Sequence, residues 1–284
     1  MNGIDVRFDG RIGNQCMQYV VGKILALRTG VRYDPPASFV DGKRKPVIWS
    51  GEPLFTMKPT PGKSIATLPS TRRNYAHVHW ANLDALEIAS PIEGYFQRYE
   101  LIREYKDRIR NEWLKIPDDR FLPTDPDAVY IHVRRTDFVD IGGGRAPDTT
   151  RQCAAATLDE YAACLKHFPD AKRLVLVTDD ITDAFLLRFV AFGLPVIIQS
   201  LAWDIDFLTL ASCRWLLISQ STFSWWAGFL GRAEKIVCPV FGGSYWGNGL
   251  GAIGADRAEY PNLLVSDEPG RWVWVTENTI AVKA

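Results

Sequence analysis

Five short apolar runs in the second half of the chain, at 128 to 133 (AVYIHV), 173 to 178 (RLVLVT), 194 to 199 (LPVIIQ), 215 to 219 (WLLIS) and 235 to 240 (KIVCPV), constrain the fold most. Between them lie segments with helical spacing at 157 to 168, 183 to 192, 204 to 213 and 222 to 230. A strand that is apolar on both sides must be covered on both sides, and strands separated by helices pair in parallel. The expectation is one Rossmann-like α/β domain over residues 126–284. Its first helix opens with a capping box, Thr157 and Glu160, turns Leu158, Tyr161, Leu165 and Phe168 inward, and stops at Pro169. Gly193 and Gly231 stand where the second and fourth helices should end.

Residues 1–125 read as a second α/β domain. Ile4 to Phe8 alternates like a strand, Gly10 to Gln15 makes a glycine turn, and Cys16 to Arg28 carries helical spacing closed by Gly30. Tyr33 to Ser70 is rich in Pro, Gly and Lys, with short apolar pieces at Pro46 to Trp49 and Ser64 to Leu68. Such a segment suits an acceptor-facing surface. Tyr75 to Trp80 places His77 and His79 on one face of a possible strand, as structural histidines or substrate hydrogen bonders, since no third metal ligand is near. Pro91 to Gln97 reads as another strand. A helix from Tyr99 to Leu114 should bury Leu101, Ile102, Tyr105, Ile109 and Trp113 before Pro117 ends it. The fold class expected from these patterns is therefore α/β.

Lys plus Arg equals Asp plus Glu at 33 each, which argues against nucleic acid or an anionic membrane as the main partner. Any phosphate site must be local. The N-terminus lacks a basic and then apolar leader, and no apolar run approaches a bilayer span. Five scattered cysteines without CxxC spacing point to reduced thiols, consistent with a cytoplasmic protein or one peripheral at the inner membrane.

Ligands of parallel sheets sit beyond the carboxyl ends of the strands, which is where Arg134, Arg135 and Asp137 fall. Two adjacent guanidiniums suit a multi-oxygen anion such as a diphosphate, or else a solvated loop or ion pair. Ser221, Thr222 and Ser224 supply three hydroxyls at a helix start, another anion-binding feature. Trp225 and Trp226 follow, either one in the core with the other leaning toward the site or both in the core, and core burial is the favoured reading for each taken singly. Asp179 and Asp180 close the second strand and could meet a ribose or base, or cap the next helix. Asp204-x-Asp206 has the look of a metal-binding DxD, yet its place in a first helical turn favours a structural role. The long stretch Asp140 to Ala156, with three consecutive glycines, reads as a flap or a surface insertion.

Taken together and in order, GRIGNQ, EGYFQ, HVRRTD, TLDEY, TDD and STFSWW resemble the bacterial α-1,2-fucosyltransferases of glycosyltransferase family eleven. The HVRRTD form with threonine is also similar to that of α-1,6-fucosyltransferases. The resemblance runs from residue 6 to about 240 and implies a GT-B-like fold of two Rossmann-like domains with a cleft between them, GDP-β-L-fucose as donor, inversion at the anomeric carbon and no metal or other cofactor. By motif it implies that His132, Arg134 and Arg135 hold the pyrophosphate with Asp137 beside the donor. Asp179 or Asp180 would meet guanine or ribose. Ser221, Thr222, Phe223, Ser224 and Trp225 would line the phosphate, with Arg11, Asn14 and Gln15 facing the donor from the first domain. Arg11 and Thr136 stand where the family has glycine. The acceptor would be an oligosaccharide or glycoconjugate, its base Asp137 or, in the first domain, His77, His79 or Glu93. Other GDP-sugars such as GDP-L-galactose, an α-1,6 or O-fucosyltransferase-like activity and a non-catalytic glycan-binding protein are the alternatives. Sulfotransfer is disfavoured because no phosphate loop of the TxPKxGTxW kind follows the first strand.

Overall fold

A computed structural model describes residues 3–36, 39, 54–65, 91–92, 94, 96–97, 99–135, 155–219, 221–240 and 268–276. Tyr75 to Trp80, Pro46 to Trp49, most of Ser64 to Leu68, and residues 140–154 lie outside them. The chain divides into two compact units, Met1–Pro117 and Asp118–Ala284. Residues just after Pro117 belong with the second unit for a visible reason. Leu122 N donates to Ser212 Oγ at 2.8 Å, Asp125 N donates to the Tyr130 hydroxyl at 3.0 Å, and Arg232 pairs with Asp118.

The first unit is built round helix α1, Ile12–Thr29. Every residue from Gln15 to Ala26 is buried, as expected of a helix without a polar face. Its polar side chains are therefore all engaged: Gln15 donates to Gly10 O, Gln18 bridges Asp9 N and Gly94 O, and Lys23 donates to Lys58 O. Gly30, at φ 69°, closes the helix in the left-handed conformation. Ile4 and Val6 do not form a regular strand. They make single parallel bridges to Tyr33 and Ile92, and α1 connects them to Val31 and Tyr33 as the crossover of a βαβ arrangement. GRIGNQ is also not a free turn, because α1 already starts at Ile12.

Within Pro91 to Gln97, Ile92 makes a single bridge to Val6, and Phe96 takes a positive φ of 51°, which a regular strand does not hold. The expected helix at 99–114 is helical throughout, though not uniformly wound. Tyr99–Ile102 is α, Arg103–Tyr105 is 3₁₀, Lys106–Arg108 is α and Ile109–Trp113 is a π turn. Leu114 N reaches back to Ile109 O, and Ile109, Trp113 and Leu114 are buried together while Tyr105 stays half-buried.

The second unit is α/β with one six-stranded parallel sheet: β1 Ala128–Val133, β2 Arg173–Thr178, β3 Val196–Gln199, β4 Trp215–Leu217, β5 Lys235–Val240 and β6 Trp272–Thr276. Their spatial order is β3-β2-β1-β4-β5-β6. The sixth strand was not anticipated, since no helix-spaced segment announces it. The helices are α2 Leu158–Leu165, α3 Trp203–Ser212 and α4 Thr222–Leu230, with Ala184–Phe192 wound as a 3₁₀ helix. The capping box on α2 is present in full, and Gly193 is left-handed at φ 73°.

All six β1 residues are buried. Val129, Ile131 and Val133 share one core with Tyr161 and Cys164 of α2 and Phe185, Leu186 and Phe189 of the 3₁₀ helix. His132 turns to the opposite face, against Phe223 of α4. Gly231 differs from the capping glycine expected, because its φ of −86° is open to any residue. Glycine is needed there for space: an added Cβ would sit 2.4 Å from the carbonyl oxygens of both Ala211 and Ala227.

Gly231→Ala should therefore lose about 1–3 kcal/mol of stability through overpacking, read as a lowered urea midpoint. A midpoint equal to that of the parent protein would mean that α3 and α4 do not meet this closely.

Candidate active site

In the order 3-2-1-4-5-6 the chain reverses its winding direction between β1 and β4, and the carboxyl ends of those two strands are the place where sheets of this order take ligands. His132 and Arg134 belong to the tip of β1, and Ser219 follows β4. His132 Nδ1 and Ser219 Oγ are 2.7 Å apart, so the two tips are tied across the reversal point. The imidazole lies 5.4 Å from the Phe223 ring, and Phe223 in turn packs edge-on against Phe207. Ser219 carried no weight in the sequence reading; only the pairing of β1 with β4 brings it to His132.

The two arginines part company. Successive side chains of a strand point to opposite faces, so Arg134 continues the His132 side and Arg135 the Val133 side. Val133 is in register with Thr178, which places Asp179 beside Arg134, and Arg134 Nη1 meets Asp179 Oδ2 at 2.9 Å. Arg135 instead pairs through Nε with Asp183, and its guanidinium stacks 3.9 Å from the centre of the Phe185 ring. Asp183 also accepts from Phe185 N at 2.8 Å, so one carboxylate starts the 3₁₀ helix and fixes the arginine. Arg135 lines a cleft of about 350 Å³ together with residues 155–159, Phe185 and Arg188. Asp183 takes Nε, so among the described residues the two terminal amino groups of Arg135 remain open to a ligand. Asp183 and Arg188 are contributors that the sequence reading passed over as ordinary helix residues.

These placements correct several expectations. Arg134 is buried and ion-paired with Asp179, so its replacement disturbs a buried contact and costs stability, more than replacement of the less buried Arg135. His132 cannot serve as a cationic phosphate ligand. Burial, reinforced by the charge of Arg134 and partly opposed by Asp179, holds its pKa down to about 3.

At α4, Ser221 accepts from Phe223 N and acts as the N-cap. Ser224 is fully buried and donates to the carbonyls of Ser219 and Ser221, so it is removed from any ligand. Thr222 remains half-buried in the first turn. Trp225 and Trp226 are both fully buried, Trp225 stacking on Phe229, so neither reaches a site. Asp180 is spent on its own turn, where it accepts from Thr182 N and Oγ1, contacts that lower its pKa. Asp206 accepts from Gln199 Nε2 and Leu201 N, which gives this member of the DxD pair a structural role. In the first unit Gln15 is fully buried and turned onto Gly10 O, and Asn14 Oδ1 accepts from Gln97 Nε2 at 2.7 Å, while Arg11 is exposed as the N-cap of α1. Asp137, His77, His79 and Glu93 lie outside the described residues.

Compared with known proteins, the chain matches no protein-family model and no curated protein.

The depressed His132 pKa carries a pH dependence. Unfolded, the ring titrates near 6.5; folded, near 3; between these values the unfolded chain binds the extra proton. This contribution is therefore complete above about pH 7 and is lost as pH falls, at about 1.4 kcal/mol per pH unit below 6.5. His132→Asn, which keeps a polar partner for Ser219, should show a shallower loss of unfolding free energy between pH 6 and pH 4. Equal acid slopes for both proteins would place the ring in water.

Proposed function

We propose that the chain is an inverting, metal-independent glycosyltransferase of the GT-B type that moves L-fucose from GDP-β-L-fucose to a hydroxyl of a glycan acceptor, in the first instance the 2-hydroxyl of a galactose-type sugar. One observation carries the reading. Arg134, with its orienting Asp179, stands on the first strand of a parallel sheet at the reversal of strand order, the place where α/β sheets of this order take nucleotides. The motif resemblance supplies the donor, and the arginine geometry is compatible with it.

Breaking a sugar–phosphate bond passes through an oxocarbenium-like state while charge collects on the departing diphosphate. Groups that are already fixed and positive gain strength as that charge forms. Arg134 is held by Asp179 and Arg135 by Asp183 and Phe185, so neither has to be reoriented when the bond breaks. Because the two guanidiniums leave opposite faces of the strand, they act on different parts of the donor in this scheme. Arg134 takes the diphosphate at the strand reversal with the first turn of α4. Arg135 addresses the portion that enters the cleft beside α2. Asp137 is the base assigned to the acceptor hydroxyl, with Glu93, His77 and His79 as alternatives.

Arg135→Ala should lower kcat/KM for transfer by roughly 10²–10³-fold, with little change in thermal midpoint. Arg134→Lys should lose transfer to the same degree and also melt earlier, because a lysine cannot reproduce the buried guanidinium contact with Asp179. Full activity in either variant would overturn the assignment.

The donor class is tested by a thermal-shift screen with GDP, UDP, CDP and dTDP, followed by turnover with GDP-fucose and GDP-L-galactose. GDP should raise the midpoint most, by mass action on the folded state, and GDP-fucose should turn over fastest. Preference for another nucleotide rejects the donor class, and turnover with GDP-L-galactose alone rejects fucose.

A further inference from the structure

Six large apolar side chains between residues 181 and 201, Ile181, Leu187, Val190, Ile197, Ile198 and Leu201, are 38% to 68% exposed. Ile197 and Ile198 belong to β3, which among the described strands is the last on its side of the sheet, and the other four lie in the segments just before and after it in the chain. From Gly193 to Trp203 there is no charged side chain. Sheet edges of monomeric proteins are ordinarily protected by charges, by a bulge or by a proline that removes an outward N–H. Pro195 does not serve that purpose here. Its carbonyl accepts from Leu174 N, so its backbone faces β2, and its missing N–H costs the outer edge nothing. By the alternation of a parallel ladder, Val196 and Ile198 are the residues that turn N–H and C=O outward.

We propose that this edge is the interface of a two-fold dimer, in which β3 of one copy pairs antiparallel with β3 of a second copy of this chain. Three features select a second copy over another partner. An isologous interface sets a patch against itself, and the uncharged run from Gly193 to Trp203 does so without repulsion. The register closes on itself, with Val196 exchanging its N–H and C=O with Ile198 of the second copy, and Ile197 facing Ile197 across the axis. Ile197 and Ile198 turn to opposite faces of the sheet, so pairing of the edges gives an apolar contact on both faces, a part of the roughly 800 Å² that each partner brings to a standard interface. A membrane surface fits poorly, since Arg188 is the one cation among residues 181–203 and interfacial elements rely on several.

Sedimentation equilibrium of the full chain is expected to give twice the 32.0 kDa chain mass at micromolar concentration. Ile197→Lys, which sets like charges against each other at the axis, should give the single-chain mass and a thermal midpoint that no longer rises with protein concentration. Should that variant fail to fold, hydrogen exchange on the parent protein decides: the Val196 and Ile198 amides should exchange slowly when concentrated and at least tenfold faster on dilution. A single-chain mass at every concentration overturns the proposal, as does a dimer that persists in Ile197→Lys or leaves those two amides unaffected. A monomer that cosediments with anionic vesicles overturns it in favour of a lipid surface.

Discussion

The burial of β1 on both faces, with a parallel neighbour on each side, is the constraint on which the second unit depends. A strand in that position has no polar outlet along its length, so its first charged residues appear only where it leaves the sheet. That is also the position where strand order reverses. Helices on either face start or end there, and their unpaired backbone groups converge with whatever the strand delivers. Arg134 and Arg135 are delivered there together and then separated by the pleat, one to each face of the sheet.

The separation changes what the pair can do. Two guanidiniums on one anion would form a single clamp, whereas here each has its own carboxylate and its own surroundings. Asp179 sets Arg134 beside His132 and Ser219, and Asp183 sets Arg135 on Phe185 above the cleft. An extended ligand that reaches both faces of the strand can use both. A lone phosphate can use only one. The buried neutral His132 fits the same scheme as a spacer that fixes the two strand tips, since a charged ring at that depth would have to be desolvated.

The hydroxyl-rich start of α4 illustrates how a local pattern can overstate a site. Three hydroxyls in four residues suggest an anion cradle, yet Ser221 caps the helix and Ser224 returns its proton to the backbone. The tryptophans that follow fill the core with Phe229 and Trp272, and Gly228 packs beneath them against Ile236 and Leu216. What is conspicuous in the sequence there serves packing first.

The sequence by itself determined the elements whose signals are local. The apolar runs of β1, β2 and β5, the capping box at Thr157 and Glu160, and the left-handed glycines at 30 and 193 follow from periodicity and backbone preference over a few residues. The position of the arginines at a strand's carboxyl end was legible for the same reason. Only the tertiary structure decided which residues meet there. Register puts Asp179 opposite Arg134, the pairing of β1 with β4 puts Ser219 on His132, and the pleat sends Arg135 to Asp183. Those contacts join residues 45 to 87 positions apart. No local periodicity encodes such separations, because they are set by how strands align across a sheet and not by the conformation of any one segment.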